Sequence, residues 1–318
     1  MDCTDRHDRF FLRLISKNVM LYSEMVATKS AIHGDRKKIL GFREEEKPVA
    51  LQVGGSDKKE LSEVAKISED LGYDEINLNL GCPSKKVQKN SFGACLMKEP
   101  DLVAECINEM SNSCKIPVTA KTRIGFDNVE SYEYLNSFVN KISDAGCKTI
   151  ILHARKAILK GLTPKENLKI PKLNYPMVYE IKENNKNLEI IINGGVVNSE
   201  QIKEHLKYCD GVMIGRAIYQ NPYFLADIEG KFFKNKNVPT RSEVAERLVE
   251  YVQEEVKRGT RVNQIMRHTV GLYHGQIGAN KWKRYLSDNM MARDSDFQKV
   301  NHIMQIAQNN EKANQASS

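Results

Sequence analysis

Seven short β-type runs, each followed by helix-type sequence, constrain the fold of this chain more than any other feature. They cover residues 18–22, 48–53, 75–80, 117–123, 149–153, 188–193 and 211–214. Each is rich in apolar or β-branched residues and runs out into polar or glycine-rich sequence. The segments between them carry a helical period. Residues 57–71 place Leu61, Val64, Ala65, Ile67 and Leu71 on one face, and residues 101–110 and 131–145 read the same way. Residues 199–206 form a further helix, with Ser199 as its expected N-cap. This alternation predicts an α/β fold, a parallel sheet made by right-handed βαβ crossovers, as in a (β/α)8 TIM-type barrel.

The count is one short of a barrel. The run at 211–214 reads as the last barrel strand, followed by Gly215-Arg216. The segment 5–16, ahead of the first run, is itself helix-like, with Phe10, Phe11, Leu14 and Ile15 on one side. A helix that precedes strand two follows strand one, so the first barrel strand is expected to be absent from this chain.

Beyond residues 231–239, a polar linker rich in Lys and Asn, the pattern becomes purely helical. Ser242 is the expected N-cap of a helix carrying Ala245, Leu248, Val249 and Val252, and further helices are expected over 263–273 and 280–289. The predicted organisation is a barrel over 1–230, a helical domain over 240–310 and a polar tail over 311–318. A length of 318 residues suits that plan, since one barrel takes ~250.

Composition narrows the class. The chain is 41% hydrophobic and 28% charged, as soluble globular proteins are. No apolar run approaches the ~18 residues of a membrane span, and the charged first residues predict no signal peptide. The seven Cys contain no C-x-x-C pair, so no metal is expected. The thiols are expected to be reduced, the location cytoplasmic and the chain a monomer. Lys and Arg number 48 against 41 Asp and Glu, a net +7. From Lys257 to Arg284 there are seven cations (Lys257, Arg258, Arg261, Arg267, Lys281, Lys283 and Arg284) and no Asp or Glu. That stretch is either a solvated face or a surface for a phosphate backbone.

Barrel active sites lie at the C-terminal ends of the strands, so those ends are read together. They offer Gln52 with Gly54-Gly55-Ser56, Asn77-Leu78-Asn79-Leu80-Gly81-Cys82-Pro83-Ser84, Lys121-Thr122-Arg123, His153-Ala154-Arg155-Lys156, Asn193-Gly194-Gly195 and Gly215-Arg216. The loops after the last two strands of barrels often bind phosphate through backbone N–H groups. Gly194, Gly195 and Gly215 allow that approach and Arg216 adds charge, which points to a phosphorylated cofactor. Paired glycines also serve simple tight turns. An inward Lys121 is costly unless it meets an anion or a polar ring edge, and the electron-rich edge of a reduced flavin is such a partner. Gln52 offers a donor and an acceptor to the same ring. His153 is either part of this set or a satisfied structural histidine. Cys82, bracketed by Gly81 and Pro83, is presented on a loop. An ordinary thiol, with a pKa of ~8.5, is mostly protonated near neutrality and suits a general acid as well as a nucleophile.

These residues resemble the tRNA-dihydrouridine synthases, specifically the A subfamily. The resemblance is carried by Asp5-Arg6-His7, His33-Gly34, Asn-Leu-Asn-Leu-Gly-Cys-Pro-Ser at 77–84, Lys-Thr-Arg at 121–123, His-Ala-Arg-Lys-Ala at 153–157, Asn193-Gly194-Gly195, Asn221-Pro222 and 282–289. It runs over nearly the whole chain. It implies an FMN-binding barrel and a helical tRNA-recognition domain. The implied reaction reduces the uracil C5–C6 bond in the tRNA D-loop, at about position 20/20a. NADPH reduces FMN, flavin hydride goes to C6, and an acid matched by Cys82 protonates C5. By position, Gln52, Lys121, His153, Asn193, Gly194, Gly195, Gly215 and Arg216 match FMN contacts. Asn79 matches a tRNA or uracil contact. Lys165 lies in the RNA-contact loop 161–167, and Lys281 and Arg284 are partners at i, i+3 on one helix face. The family begins with a strand ending in Ala-Pro-Met, and Met1 stands within or just after that stretch. Two other readings remain open here: an FMN barrel reducing a free pyrimidine, and a non-catalytic tRNA-binding module.

Overall fold

The computed structural model describes residues 3–290 together with 305 and 309. The tail expected over 311–318 lies outside the described residues. One parallel sheet contains β1 (Leu21–Tyr22), β2 (Val26–Ala27), β3 (Val49–Gly54), β4 (Glu75–Asn79), β5 (Val118–Arg123), β6 (Thr149–His153), β7 (Glu189–Asn193) and β8 (Gly211–Met213). β1 and β2 both pair with β3, at Leu21↔Val49 and Val26↔Val53. They are two halves of one barrel position. Five residue steps on one side face four on the other, so one extra residue is inserted there. Ser23 fills the break, its Oγ accepting from Gln52 N at 2.9 Å. The sheet therefore has seven positions, in chain order, as the sequence pattern predicts. Among the described residues no ladder joins β8 to β1.

Strand alternation sorts the side chains. Val49, Leu51 and Val53, Ile76 and Leu78, Val118 and Ala120, Ile150 and Leu152, and Ile190 and Ile192 belong to the apolar core shared with the helix layer. The residues between them, including Gln52, Asn77, Asn79, Lys121, His153 and Asn193, share the opposite, inner face. The surrounding helices start on side-chain caps: Asp57 on Glu60 N, Ser131 on Tyr134 N and Asn198 on Gln201 N. Asn198, rather than the expected Ser199, is the cap of the last of these, because its carboxamide reaches Gln201 N at 2.9 Å. Leu61, Val64, Leu135, Val139 and Ile142 are fully buried, each contributing about 1.5–3 kcal/mol by burial.

The chain divides into two compact units. One comprises 20–42 and 48–214, the sheet and its helices. The other comprises the described residues within 1–19, 43–47 and 215–318. The helix Arg6–Ile15, expected with the barrel, groups with the helical unit, and the division falls at Gly215 rather than in the 231–239 linker. The reason is packing: Phe10 stacks on Tyr251 with ring centroids 3.8 Å apart, and Arg6 pairs with the buried Glu255 at 2.6 Å. In that unit the helix Arg241–Lys257 is capped by Thr240, not Ser242. Thr240 and Glu243 form a reciprocal capping box, with Thr240 N to Glu243 Oε2 at 2.7 Å and Glu243 N to Thr240 Oγ1 at 3.2 Å. No helix among the described residues is long and apolar enough to cross a membrane.

Candidate active site

Sheet register brings the inner polar residues side by side. Gln52 lies across from Asn77, Asn79 from Lys121, Arg123 from His153, and His153 from Asn193. Gln52, Asn79, Lys121, His153, Asn193, Gly194 and Gly195 thus gather at one end of the sheet, where the sequence predicts a site. Lys121 Nζ donates to Asn193 Oδ1 at 2.9 Å, and Asn193 Nδ2 donates to Met213 O at 2.8 Å. Lys121 has no carboxylate partner among the described residues. Burial pushes its pKa down to about 7, the Arg123 guanidinium adds to the shift, and Cys82 opposes it.

Cys82 is a free, half-buried thiol on the loop that follows β4. Side chains from three directions hold that loop. Asn79 Oδ1 accepts from Gly81 N at 3.2 Å and from Cys82 N at 3.0 Å. Arg123 Nε donates to Gly81 O at 2.8 Å. Gln88 Nε2 donates to Pro83 O at 2.8 Å. Gly93 closes the loop from below, with φ +79° and Ala94 N donating to Cys82 O at 2.9 Å. A Cβ at Gly93 would stand 2.6 Å from Cys82 O and 2.5 Å from Val87 Cγ1. Gly93→Ala is therefore expected to cost about 1–3 kcal/mol and to displace Cys82. Thermal melts and the rate of Cys82 alkylation check this, and an unchanged melt with an unchanged alkylation rate contradicts it.

The Lys-Thr-Arg motif by itself gives Arg123 no role, although its parity with Lys121 places it on the same inner face. It is 3% exposed, and its Nη1 donates to Lys156 O at 3.0 Å and Asn167 O at 3.2 Å. Burial lowers its pKa to about 10, with Arg155 adding to the shift and Cys82 opposing it. Arg123 thus ties the Cys82 loop to the 156–168 segment. Asn167, fully buried, shapes that segment by bonding both the N–H and the C=O of Ile158. Lys165, beside it, is exposed.

The glycine pair after β7 adopts the left-handed region, Gly194 at φ +120° and Gly195 at φ +75°. A Cβ at Gly194 would stand 2.7 Å from His153 Cδ2, so the His153 ring packs directly against this turn. Gly215 and Arg216 belong to the helical unit, where Gly215 caps the helix Arg216–Gln220 and a Cβ on it would meet nothing within 4 Å. Lys281 and Arg284 are exposed on the helix Ala279–Met290, whose buried side carries Trp282 and Leu286. Trp282 Nε1 donates to Thr269 O at 2.9 Å. Of the seven cations between 257 and 284, three meet carboxylates: Arg258 meets Glu255, Arg267 meets Asp5 and Arg284 meets Asp288. Lys257, Arg261, Lys281 and Lys283 have no ion pair among the described residues. No cluster of three or more His, Cys, Asp or Glu suited to a metal occurs among the described residues.

The dihydrouridine synthase (Dus) family profile matches residues 1–311. The tRNA-dihydrouridine(20/20a) synthase of Synechocystis is 51% identical over 292 residues, 92% of this chain and 87% of that protein. Its namesake in Shewanella oneidensis is 48% identical over 309 residues, 97% of this chain and 92% of that one. That of Escherichia coli K12 is 47% identical over 308 residues, 96% and 89%. Among solved structures, an old yellow enzyme homologue from Zymomonas mobilis superposes with a TM-score of 0.50 at 11% identity, over 76% of this chain and 86% of that one, a likeness of fold. With a family profile and close relatives spanning almost its full length, the chain belongs to the dihydrouridine synthase family of enzymes, in the A subfamily.

Proposed function

We propose that this chain reduces uridine to 5,6-dihydrouridine in the tRNA D-loop, at about position 20/20a, in the cytoplasm. FMN is the cofactor, NADPH the reductant and Cys82 the acid. The observation that carries this reading is a free thiol, Cys82, in electrostatic contact with two basic side chains, the half-buried Lys121 and the buried Arg123. The name that its relatives carry, tRNA-dihydrouridine(20/20a) synthase, supports the substrate.

The residues present fit FMN. Lys121, pressed toward neutrality without a carboxylate, suits a ring edge that gathers negative charge on reduction. Gly194 and Gly195, both at positive φ, let the backbone approach a phosphate as no residue with a side chain would there. Gln52, Lys121, His153, Asn193, Gly194 and Gly195 would hold the cofactor. When bound, FMN relays two electrons from NADPH as a hydride to C6 of the uracil.

The protein's own part is to expose the base, hold it and supply a proton. The base leaves its stack to enter the barrel mouth. Cys82 gives its Sγ proton to C5 as the C5–C6 π bond is lost, and becomes a thiolate. Lys121 and Arg123 stabilise that anion until solvent returns the proton. NADPH ends as NADP+, so the uracil gains one hydride and one proton. Asn79 contacts the base, while Lys165, Lys281 and Arg284 contact the tRNA backbone by charge and shape.

A purified sample is expected to show a flavin absorbance band and to bind tRNA; a colourless protein that shifts tRNA would instead support a binding module. Lys281→Ala is expected to weaken tRNA binding and reduce the slope of log K against log salt by about 1. Arg284→Ala is expected to reduce it less, because Asp288 already stands 3.7 Å from Arg284. Filter binding across a salt series checks both, and equal slopes for all three proteins would remove Lys281 from the interface.

A further inference from the structure

We propose that Glu75 and Thr119, deep inside the sheet, are positioning residues that fix the Asn79 carboxamide as a donor only, so that the site takes the pyrimidine through a ring carbonyl. The inference deepens the reading above and rests on it. It starts from an unbroken series of hydrogen bonds. Asn79 Oδ1 accepts from the backbone N–H of both Gly81 and Cys82. Backbone N–H groups only donate, so this atom is the oxygen and the other is the nitrogen. Asn79 Nδ2 donates to Gln52 Oε1 at 2.8 Å, and Gln52 Nε2 then donates to Asn77 Oδ1 at 2.9 Å. Asn77 Nδ2 donates to Thr119 Oγ1 at 2.7 Å, and the Thr119 hydroxyl donates to Glu75 Oε1 at 2.5 Å. Tyr22 OH donates to the same oxygen at 2.8 Å.

Every bond in the series therefore points the same way, from Cys82 toward Glu75. The two ends set that direction independently: one is a pair of obligate donors, and at the other a single carboxyl oxygen, Glu75 Oε1, accepts from two hydroxyls. Turning any one amide would set donor against donor in a region where Asn77 is fully buried and Thr119 is 1% exposed. Glu75 meets no cation among the described residues. Burial raises the pKa of this group, and a buried acid without a countercharge is a costly way to build a core. It is an effective way to terminate a directional series.

The consequence lies at the other end. Both lone pairs of Asn79 Oδ1 and one of its N–H groups are committed, and one N–H remains. Asn79 can give a hydrogen bond to a base and cannot take one. Uracil offers the acceptors O2 and O4 and the donor N3–H, so the partner is a carbonyl oxygen, here O4, which cytosine replaces by an amino group. An exocyclic amino group at that edge would set donor against donor and be rejected. One carboxamide would then read the base and hold the backbone of the acid.

The test uses four variants of the full chain. Glu75→Gln keeps the acceptor and Glu75→Leu removes it; Thr119→Ser keeps the hydroxyl and Thr119→Val removes it. Two readouts are taken: kcat and KM for tRNA, and, by filter binding, the preference for a transcript with uridine over one with cytidine at the target position. Glu75→Leu and Thr119→Val are expected to lower kcat about 10-fold with KM nearly unchanged and to lose the uridine preference. Glu75→Gln and Thr119→Ser are expected to keep both. Thr119→Val and Thr119→Ser share a near-native volume, so this pair decides the matter if Glu75→Leu does not fold. Glu75→Gln failing as Glu75→Leu fails, or Thr119→Val behaving as wild type, would overturn the proposal. An inactive wild-type protein would instead overturn the proposed function.

Discussion

Replacing Cys82 with alanine is expected to slow dihydrouridine formation by ~10²–10⁴-fold while leaving tRNA affinity nearly unchanged. The range is what a positioned general acid contributes. The affinity should hold because Cys82 is held through its backbone. Its N–H bonds Asn79 and its C=O receives Ala94 N. Removing Sγ leaves both bonds and so leaves the loop in place. Lys121 and Arg123 remain as well, and with them the electrostatic character of the site. The variant thus separates the proton from the pocket. Cys82→Ser, with a hydroxyl of much higher pKa, should fall between alanine and wild type or near alanine. Single-turnover rates with bound tRNA provide the measurement, and near-wild-type turnover by Cys82→Ala would remove Cys82 from the acid's role.

Lys121→Met is expected to act in opposite directions on the free protein and on its loaded form. In the free protein Lys121 is a buried amine whose pKa falls from 10.5 to about 7. The unfolded chain then holds the proton between pH ~7 and ~10.5 while the folded chain does not. Burial of this side chain therefore costs most below pH 7, where a cation must be enclosed, and the cost fades as pH rises toward 10.5. Methionine fills similar volume without the charge. The variant should melt higher than wild type at pH 6, and the two curves should converge toward pH 10. Adding FMN should reverse the order, because wild type gains a partner for the amine and the variant does not. Melting curves from pH 6 to 10, with and without FMN, check both halves. A constant gap across that range would contradict the lowered pKa, and equal stabilisation of both proteins by FMN would contradict contact between Lys121 and the cofactor.

Much of this site is legible from strand parity. A two-residue period ending in polar residues places Gln52, Asn79, Lys121, His153 and Asn193 on one inner face, and the structure brings those residues together. Parity does not reveal register, and register decides who bonds to whom. Asn79 bonds Gln52 27 positions away, and Thr119 bonds Glu75 across 44. The directional series and the clamp made by Arg123 were therefore invisible in one dimension. The basic stretch shows the same limit. It contains no acid from 257 to 284, yet Asp5, 262 positions from Arg267, supplies one through folding. The caps lie one and two residues before the serines that the sequence suggests, for a local reason. Serines at 199 and 242 are good caps by type, but Asn198 reaches Gln201 and Thr240 pairs reciprocally with Glu243. The first position of the sheet reads as a run over 18–22, whereas it continues past an inserted residue into β2, Val26–Ala27.

The central claim is that this chain adds a hydride and a proton to one uracil of tRNA. The most direct measurement is mass mapping of an unmodified tRNA transcript after incubation with the purified protein, FMN and NADPH. The expected result is a gain of two hydrogens confined to a D-loop fragment containing position 20 or 20a, accumulating ~10²–10⁴-fold more slowly with Cys82→Ala. A transcript that is bound but unchanged in mass would contradict it.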